Sequence, residues 1–335
     1  MTQKFSRKLL GILDIAYILE NETGLIIRFP LARAKIGGAD VMPMALRRKY
    51  CINGKEEELE VPYIPGSSIK GRMRGLLELK ENVELYTDGK ITQHFLPLRY
   101  REIVVDYVKK YLGAEKPESF IDHVFGYSAL HYNDLREALR EKYKNISNEQ
   151  LEKETTELFS KLAITRLIVY DVYPSNRYVE EKYNEKQQLG LTLMLDDFLE
   201  EKPENRIDRI TSAADPRLIL RIKPGVEFEG LMRLLIFDRD YPVIEDMLRL
   251  VFAGIKLIED TYLGGSGTRG YGKVRFKEVN LILKKASYYQ TGDEKNKVNI
   301  GAYKSIEEIL KNIANIANKI KEELKTELTA KEMAV

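Results

Sequence analysis

Leu263-Gly264-Gly265-Ser266-Gly267-Thr268-Arg269-Gly270-Tyr271-Gly272 holds five glycines in ten residues. The apolar positions of 242–258, just before it, recur at helical spacing, and 273–283, just after it, alternates as a strand. The stretch therefore joins a helix to the last strand of a sheet, and the fold is read outward from that junction. Upstream, Glu227–Phe237 alternates as a strand, and 162–172, with Leu167-Ile168-Val169-Tyr170, reads as another. At the other end, Leu9–Leu19 and Leu25–Phe29 are two β-like runs around a turn at 20–24, and Met44–Val61 is expected to be charged and exposed. Pro62–Ser68 is a turn, after which Ile69, Met73, Leu76 and Leu77 predict a helix to about residue 80, with Ser67 and Ser68 as candidate N-caps.

In order, the elements read β–(β)–α–insertion–β–long hairpin–β–α–β. That predicts an α+β fold with a ferredoxin-like (RRM-like) βαββαβ core. The segment 82–162 is expected to be a helical insertion, and 173–224 a polar, irregular excursion. The tail carries Ile306, Ile309, Leu310, Ile313, Ile316, Ile320, Leu324 and Leu328 at three- and four-residue steps, which predicts a C-terminal helix docked on its own domain. Residues 1–285 are expected to form one domain and 286–335 a helical extension.

Composition narrows the class. The chain of 335 residues is 44% apolar and 32% charged, as in a core-forming globular protein. Lys plus Arg is 54 and Asp plus Glu is 52, a net charge of +2, so any affinity for a polyanion must come from local patches. The single cysteine, Cys51, excludes an intrachain disulfide and a cysteine zinc site, and fits a reducing cytoplasm. Asp14 breaks the N-terminal apolar run, which argues against a signal peptide, and no membrane span is expected.

Three segments carry candidate chemistry. In the glycine stretch, backbone N–H groups can approach a phosphate closely, and Arg269, with Lys273 and Arg275 beyond it, can pair with one. No Gly-Lys-Ser/Thr occurs, so it is not a nucleoside-triphosphate loop. In Pro65–Arg74, Lys70, Arg72 and Arg74 add three positive charges beside a helix N-terminus, a ready anion site. In Ile36-Gly37-Gly38-Ala39-Asp40, flanked by Arg33 and Lys35, the carboxylate after the Gly-Gly turn either caps the loop or holds a divalent cation near an RNA phosphate. Tyr170, Tyr173 and Tyr271 can stack on bases or serve as packing.

These segments, in this order and together with Asn205–Thr211 and Ala213–Arg217, resemble the RAMP superfamily of CRISPR-associated proteins, specifically the Csm-type (Cas7-like) backbone subunit of type III effector complexes. The resemblance covers roughly residues 8–283 less the insertion. It implies a hand-shaped subunit that binds CRISPR guide RNA, with 173–224 as a thumb hairpin. Implied partners are the complementary target RNA, other subunits of the complex and copies of this chain. It also implies that Asp40 cleaves the target RNA with Mg2+ or another divalent cation. Guide-RNA contacts are then expected from Ser67, Ser68, Lys70, Arg72, Arg74, Gly265, Gly267, Thr268, Arg269, Gly270, Tyr271 and Gly272, from Arg33, Lys35, Gly37 and Gly38, and from the thumb residues Arg206, Arg209 and Arg217. Two alternatives stay open on the residues: a non-catalytic scaffold in which Asp40 only caps its loop, and a guide-processing endoribonuclease using one of the three histidines, His94, His123 or His131.

Overall fold

The computed structural model describes residues 7–28, 42–83, 85–87, 89, 92–93, 121–126 and 131–329. In chain order the elements are β1 (Leu9–Asn21), β2 (Ala45–Ile52), β3 (Lys55–Pro62), α1 (Gly66–Lys80), β4 (Tyr86–Thr87), β5 (Thr92–Gln93), α2 (Ile121–Phe125), α3 (Tyr132–Lys142), α4 (Asn148–Leu162), β6 (Leu167–Val169), β7 (Tyr173–Pro174), α5 (Asn176–Gln188), β8 (Leu199–Ile207), β9 (Ala214–Ile222), β10 (Glu227–Phe237), α6 (Ile244–Asp260), β11 (Val274–Lys285), α7 (Ala286–Thr291), β12 (Lys297–Ser305) and α8 (Ile306–Thr329).

The fold is mixed α/β. One antiparallel sheet runs β12-β11-β1-β10-β6, and β7 also pairs with β10. β1 sits at its centre because alternate residues Leu13, Ile15, Tyr17 and Leu19 are buried on one face, opposite Met232 and Phe228 of β10 and Leu281 and Phe276 of β11. Helices α1 and α6 cover that face. Ile69, Met73 and Leu77 of α1 meet Met247, Val251 and Phe252 of α6 in one core, and the helices close to contact distance at Gly254, where a Cβ would lie 3.0 Å from Leu77. Helix α8 buries Ile309, Ile313, Ile316 and Ile320 against α6 and β12, as the periodicity of the tail predicted. Deeper in, Arg166 is fully buried with its Nε 3.0 Å from Asp240 Oδ2, and His123 of α2 binds the same carboxylate at 2.9 Å.

Several elements differ from the sequence reading. Residues 25–28 form no strand; Leu25 and Arg28 make isolated bridges to Ile222 and Pro43. Residues 45–62 are a regular hairpin, turned by Asn53 and Gly54 at φ 50° and 78°. The strand expected over 162–172 shrinks to β6, because Val172 leaves the sheet to pair with Ile64. The excursion 173–224 is ordered: it holds α5 and the two-stranded ribbon β8–β9. Beyond residue 285 the chain adds an edge strand, β12, before its helix.

Candidate nucleic-acid interface

The glycine stretch begins where α6 ends. Leu263 N–H donates to Gly272 O (2.8 Å), Gly265 N–H to Ile26 O (2.8 Å) and Gly272 N–H to Gly24 O (2.9 Å), so both ends of the loop are pinned to the segment after β1. Three of its glycines are required by their surroundings, among them Gly264 (φ 80°), where a Cβ would overlap Ile26 O. A Cβ at Gly267 would overlap the Tyr262 ring, and Gly272 (φ 73°) presses on the Leu263 carbonyl. The tip, Thr268-Arg269-Gly270, is exposed, and Arg269 is steadied by its bond to Ser266 Oγ (2.7 Å).

The neighbouring cations are differently employed. Lys273 and Arg275 both bind Glu22, at 2.7 and 2.6 Å, and those two bonds hold its carboxyl below the ordinary glutamate range. Tyr271 is only 1% exposed, so it offers no ring to a base. Its hydroxyl donates to Glu204 of β8 (2.6 Å), and burial, followed by Glu204, pushes its pKa up to about 12. Lys202 and Arg221 lie 4.4 and 4.6 Å from its ring. Arg221 in turn binds Glu200 (2.7 Å) and lies where a side chain at Gly24 would be. The foot of the β8–β9 ribbon is thus clamped to the glycine loop.

At the start of α1 the expected capping serines do not cap. Pro65 precedes the helix, and the Gly66 N–H is taken by Asp171 Oδ1 (2.8 Å) from beyond β6. That carboxylate already occupies the positive end of the helix where an anion was expected. The three basic residues also part company. Lys70 Nζ donates to Leu167 O (2.9 Å), and burial, then Arg74, brings its pKa down to about 8. Arg74 binds Glu78 (2.7 Å), the Gly126 carbonyl (2.9 Å) and Asp122 (2.6 Å), tying α1 to α2. Both side chains are therefore engaged within the chain. Arg72 points elsewhere. Its Nε donates to Tyr262 O (3.1 Å) and its guanidinium sits 4.0 Å from the Tyr262 ring, the ring against which Gly267 rests. The two glycine-bearing patches are adjacent, and Arg72 is the link.

On the ribbon, Arg206 pairs with Asp215 (2.9 Å), while Arg209 and Arg217 are exposed. Asp208 orders the tip by accepting from Ile210 N–H and Thr211 N–H (2.9 and 2.7 Å), which leaves Ile210 94% exposed. Arg33, Lys35, Gly37, Gly38 and Asp40 lie outside the described residues. The residues on either side of 29–41 are placed: Met44 N–H donates to Ile27 O (3.1 Å), Arg28 bridges Pro43, and Ile26 and Ile27 lie against Gly264 and Gly265. The described residues flanking 29–41 are therefore paired with each other, and the N-terminal flank, Ile26 to Arg28, lies against the glycine loop. Among the described residues no group of three His, Cys, Asp or Glu side chains is arranged to hold a metal ion. Of the histidines, His123 is buried, and that burial lowers its pKa; His131 is exposed before α3; His94 is outside the described residues. Sequence reasoning missed Glu22 and Glu204, which come from distant segments: Glu22 pairs with Lys273 and Arg275, and Glu204 takes the Tyr271 hydroxyl.

The chain is 31% identical over 297 residues to the CRISPR system Cms endoribonuclease Csm3 of Methanothermobacter thermautotrophicus, a match covering 88% of this chain and 96% of that protein. The RAMP superfamily profile matches residues 52–275. The chain belongs to the RAMP superfamily and, within it, to the Csm3 family. A second Csm3, from Methanocaldococcus jannaschii, is 30% identical over 297 residues, covering 87% of this chain and 89% of the relative. The crystal structure of Methanopyrus kandleri Csm3 shares the fold at 18% identity with a TM-score of 0.51, over 92% of this chain and 98% of that one. Among the described residues no helix is long and apolar enough to cross a membrane.

Proposed function

We propose that this chain is a guide-RNA-binding backbone subunit of a type III CRISPR interference complex and that its Asp40 cleaves complementary target RNA. One observation carries the reading: the glycine loop, α1, the foot of the β8–β9 ribbon and the segment after β1 meet at one place, linked by Arg72, Tyr271 and the Ile26–Gly265 bond. The names of the Csm3 relatives support the endoribonuclease half of it. The strand order β11-β1-β10-β6, with α1 and α6 on one face, supports calling the core ferredoxin-like. In the same reading residues 1–285 are the RAMP domain, 286–335 its extension, and β8–β9 the thumb.

The exposed tip of the glycine loop and Arg269 hold guide phosphates, and Arg206, Arg209 and Arg217 contact RNA along the ribbon. Lys70 and Arg74 support from within. Asp40 supports in-line attack at the target phosphate. Asp40 would hold Mg2+ or another divalent cation, which would supply charge stabilisation for the reacting oxygens. The guide-processing alternative is disfavoured by His123, whose ring is buried against Asp240.

Binding of single-stranded guide RNA by the purified chain, measured across salt concentrations, tests the contacts. The account expects a steep linear fall of log affinity with log salt. Affinity that does not respond to salt would contradict it.

A further inference from the structure

The hairpin β2–β3 carries three consecutive cations, Arg47, Arg48 and Lys49, and they divide by side. Arg47 and Lys49 pair with Glu58 and Glu56 of the facing strand. Arg48, between them, points to the other side of the ribbon. Its strand partner is Leu59, and among the described residues it makes no ion pair. Its guanidinium carbon lies 3.9 Å from the centroid of the Tyr173 ring. The Tyr173 ring is stacked in turn on Tyr63, with centroids 5.9 Å apart and 22° between planes. Arg48 is exposed, and both tyrosines are half-buried, so the column is reachable from solvent.

The column also stands where RNA is expected. Tyr63 N–H donates to Met44 O (3.0 Å), and Met44 follows Asp40 by four residues. Tyr63 leads into Ile64, which is paired with Val172, and then into α1. An exposed cation–aromatic pair adds little to stability. Unpaired RNA bases, by contrast, stack on aromatic rings and on guanidinium planes.

We propose that Arg48, Tyr173 and Tyr63 form a stacking platform for one unpaired RNA base beside Met44 and the start of α1. This rests on the RNA-binding reading above and adds a site that recognises a base rather than a phosphate. Because every base has a π face, the platform accepts any of the four.

The test uses the full chain and two sets of short single-stranded RNAs, one carrying a fluorescent purine analogue at successive positions and one carrying an abasic nucleotide there. For the wild type we expect the analogue to be quenched at one position, and removal of that base to weaken binding about tenfold. Tyr63→Ala and Arg48→Ala should lose both the quenching and the preference for the base-bearing RNA, while Tyr63→Phe keeps them. Tyr63→Ala should also leave the salt slope unchanged, because it removes no charge. A variant that had merely misfolded would lose the abasic RNA as well. If Tyr63→Ala and Arg48→Ala still discriminate between intact and abasic RNA as the wild type does, the platform is wrong and RNA binding stands. If the wild type binds neither RNA at low salt, the RNA-binding reading fails and the platform with it.

Discussion

Arg74 and Arg269 both read from the sequence as phosphate ligands, and the structure gives them opposite fates. Arg74 is spent on Asp122 and Glu78, and Asp122 is fully buried. Arg74→Ala should therefore cost stability, about 3 kcal/mol or more, because it leaves a buried carboxylate without its cation. It should not change the salt dependence of RNA binding. Arg269→Ala should do the reverse, reducing the salt slope by about one with little effect on unfolding. Denaturant unfolding and salt-dependent binding of the two variants check the pair. Lys70 makes a pH prediction. Its folded-state pKa is lowered to about 8 from 10.5, so between those values the unfolded chain binds more protons. The penalty of burying the charge is fully present below about pH 8 and is relieved as pH rises towards 10. Relative to Lys70→Met, the wild type should gain on the order of 2 kcal/mol between about pH 7 and pH 10, as read from urea unfolding. Residue type and spacing showed where cations cluster. They could not show that Glu22, far away in the chain, would pair with Lys273 and Arg275, or that Glu204 would take the Tyr271 hydroxyl.

At the scale of elements, periodicity was legible wherever an element packs on the main core. β10 spans the residues its alternation marks, and α6 and α8 follow their apolar stripes. The misses share a cause, which is that their pairing partner is remote or their turn was overlooked. Residues 25–28 look like a strand but are held by Ile222 and Pro43. Ile52-Asn53-Gly54-Lys55 is a two-residue hairpin signal inside a stretch that its charge made look irregular. β8–β9 has one half-polar face and many charges, because the ribbon projects from the body and has no core to bury. The contact between α1 and α6 carries the packing prediction. Leu77→Ala, at the point where Gly254 lets the helices approach, should cost about 2–5 kcal/mol in a denaturant titration.

At the scale of the whole molecule, the site is assembled from segments spread along the chain, and what unites them is the sheet. Antiparallel pairing of β1 with both β10 and β11 brings the segment after β1, the foot of the ribbon before β10 and the glycine loop before β11 to the same end. Tyr271→Phe tests this union. Loss of the 2.6 Å bond to Glu204 should lower stability by about 1–2 kcal/mol and loosen the ribbon, seen as faster hydrogen exchange in 199–222. The central claim, that Asp40 cuts target RNA in the complex whose guide this chain holds, is tested by cleavage with the reconstituted complex, magnesium and complementary RNA, comparing wild type with Asp40→Ala. The account predicts that the wild type yields discrete fragments, that the variant yields none of those cuts, and that guide RNA remains bound in both. Unchanged fragments from an Asp40→Ala complex that retains its guide would contradict it and make the chain a scaffold.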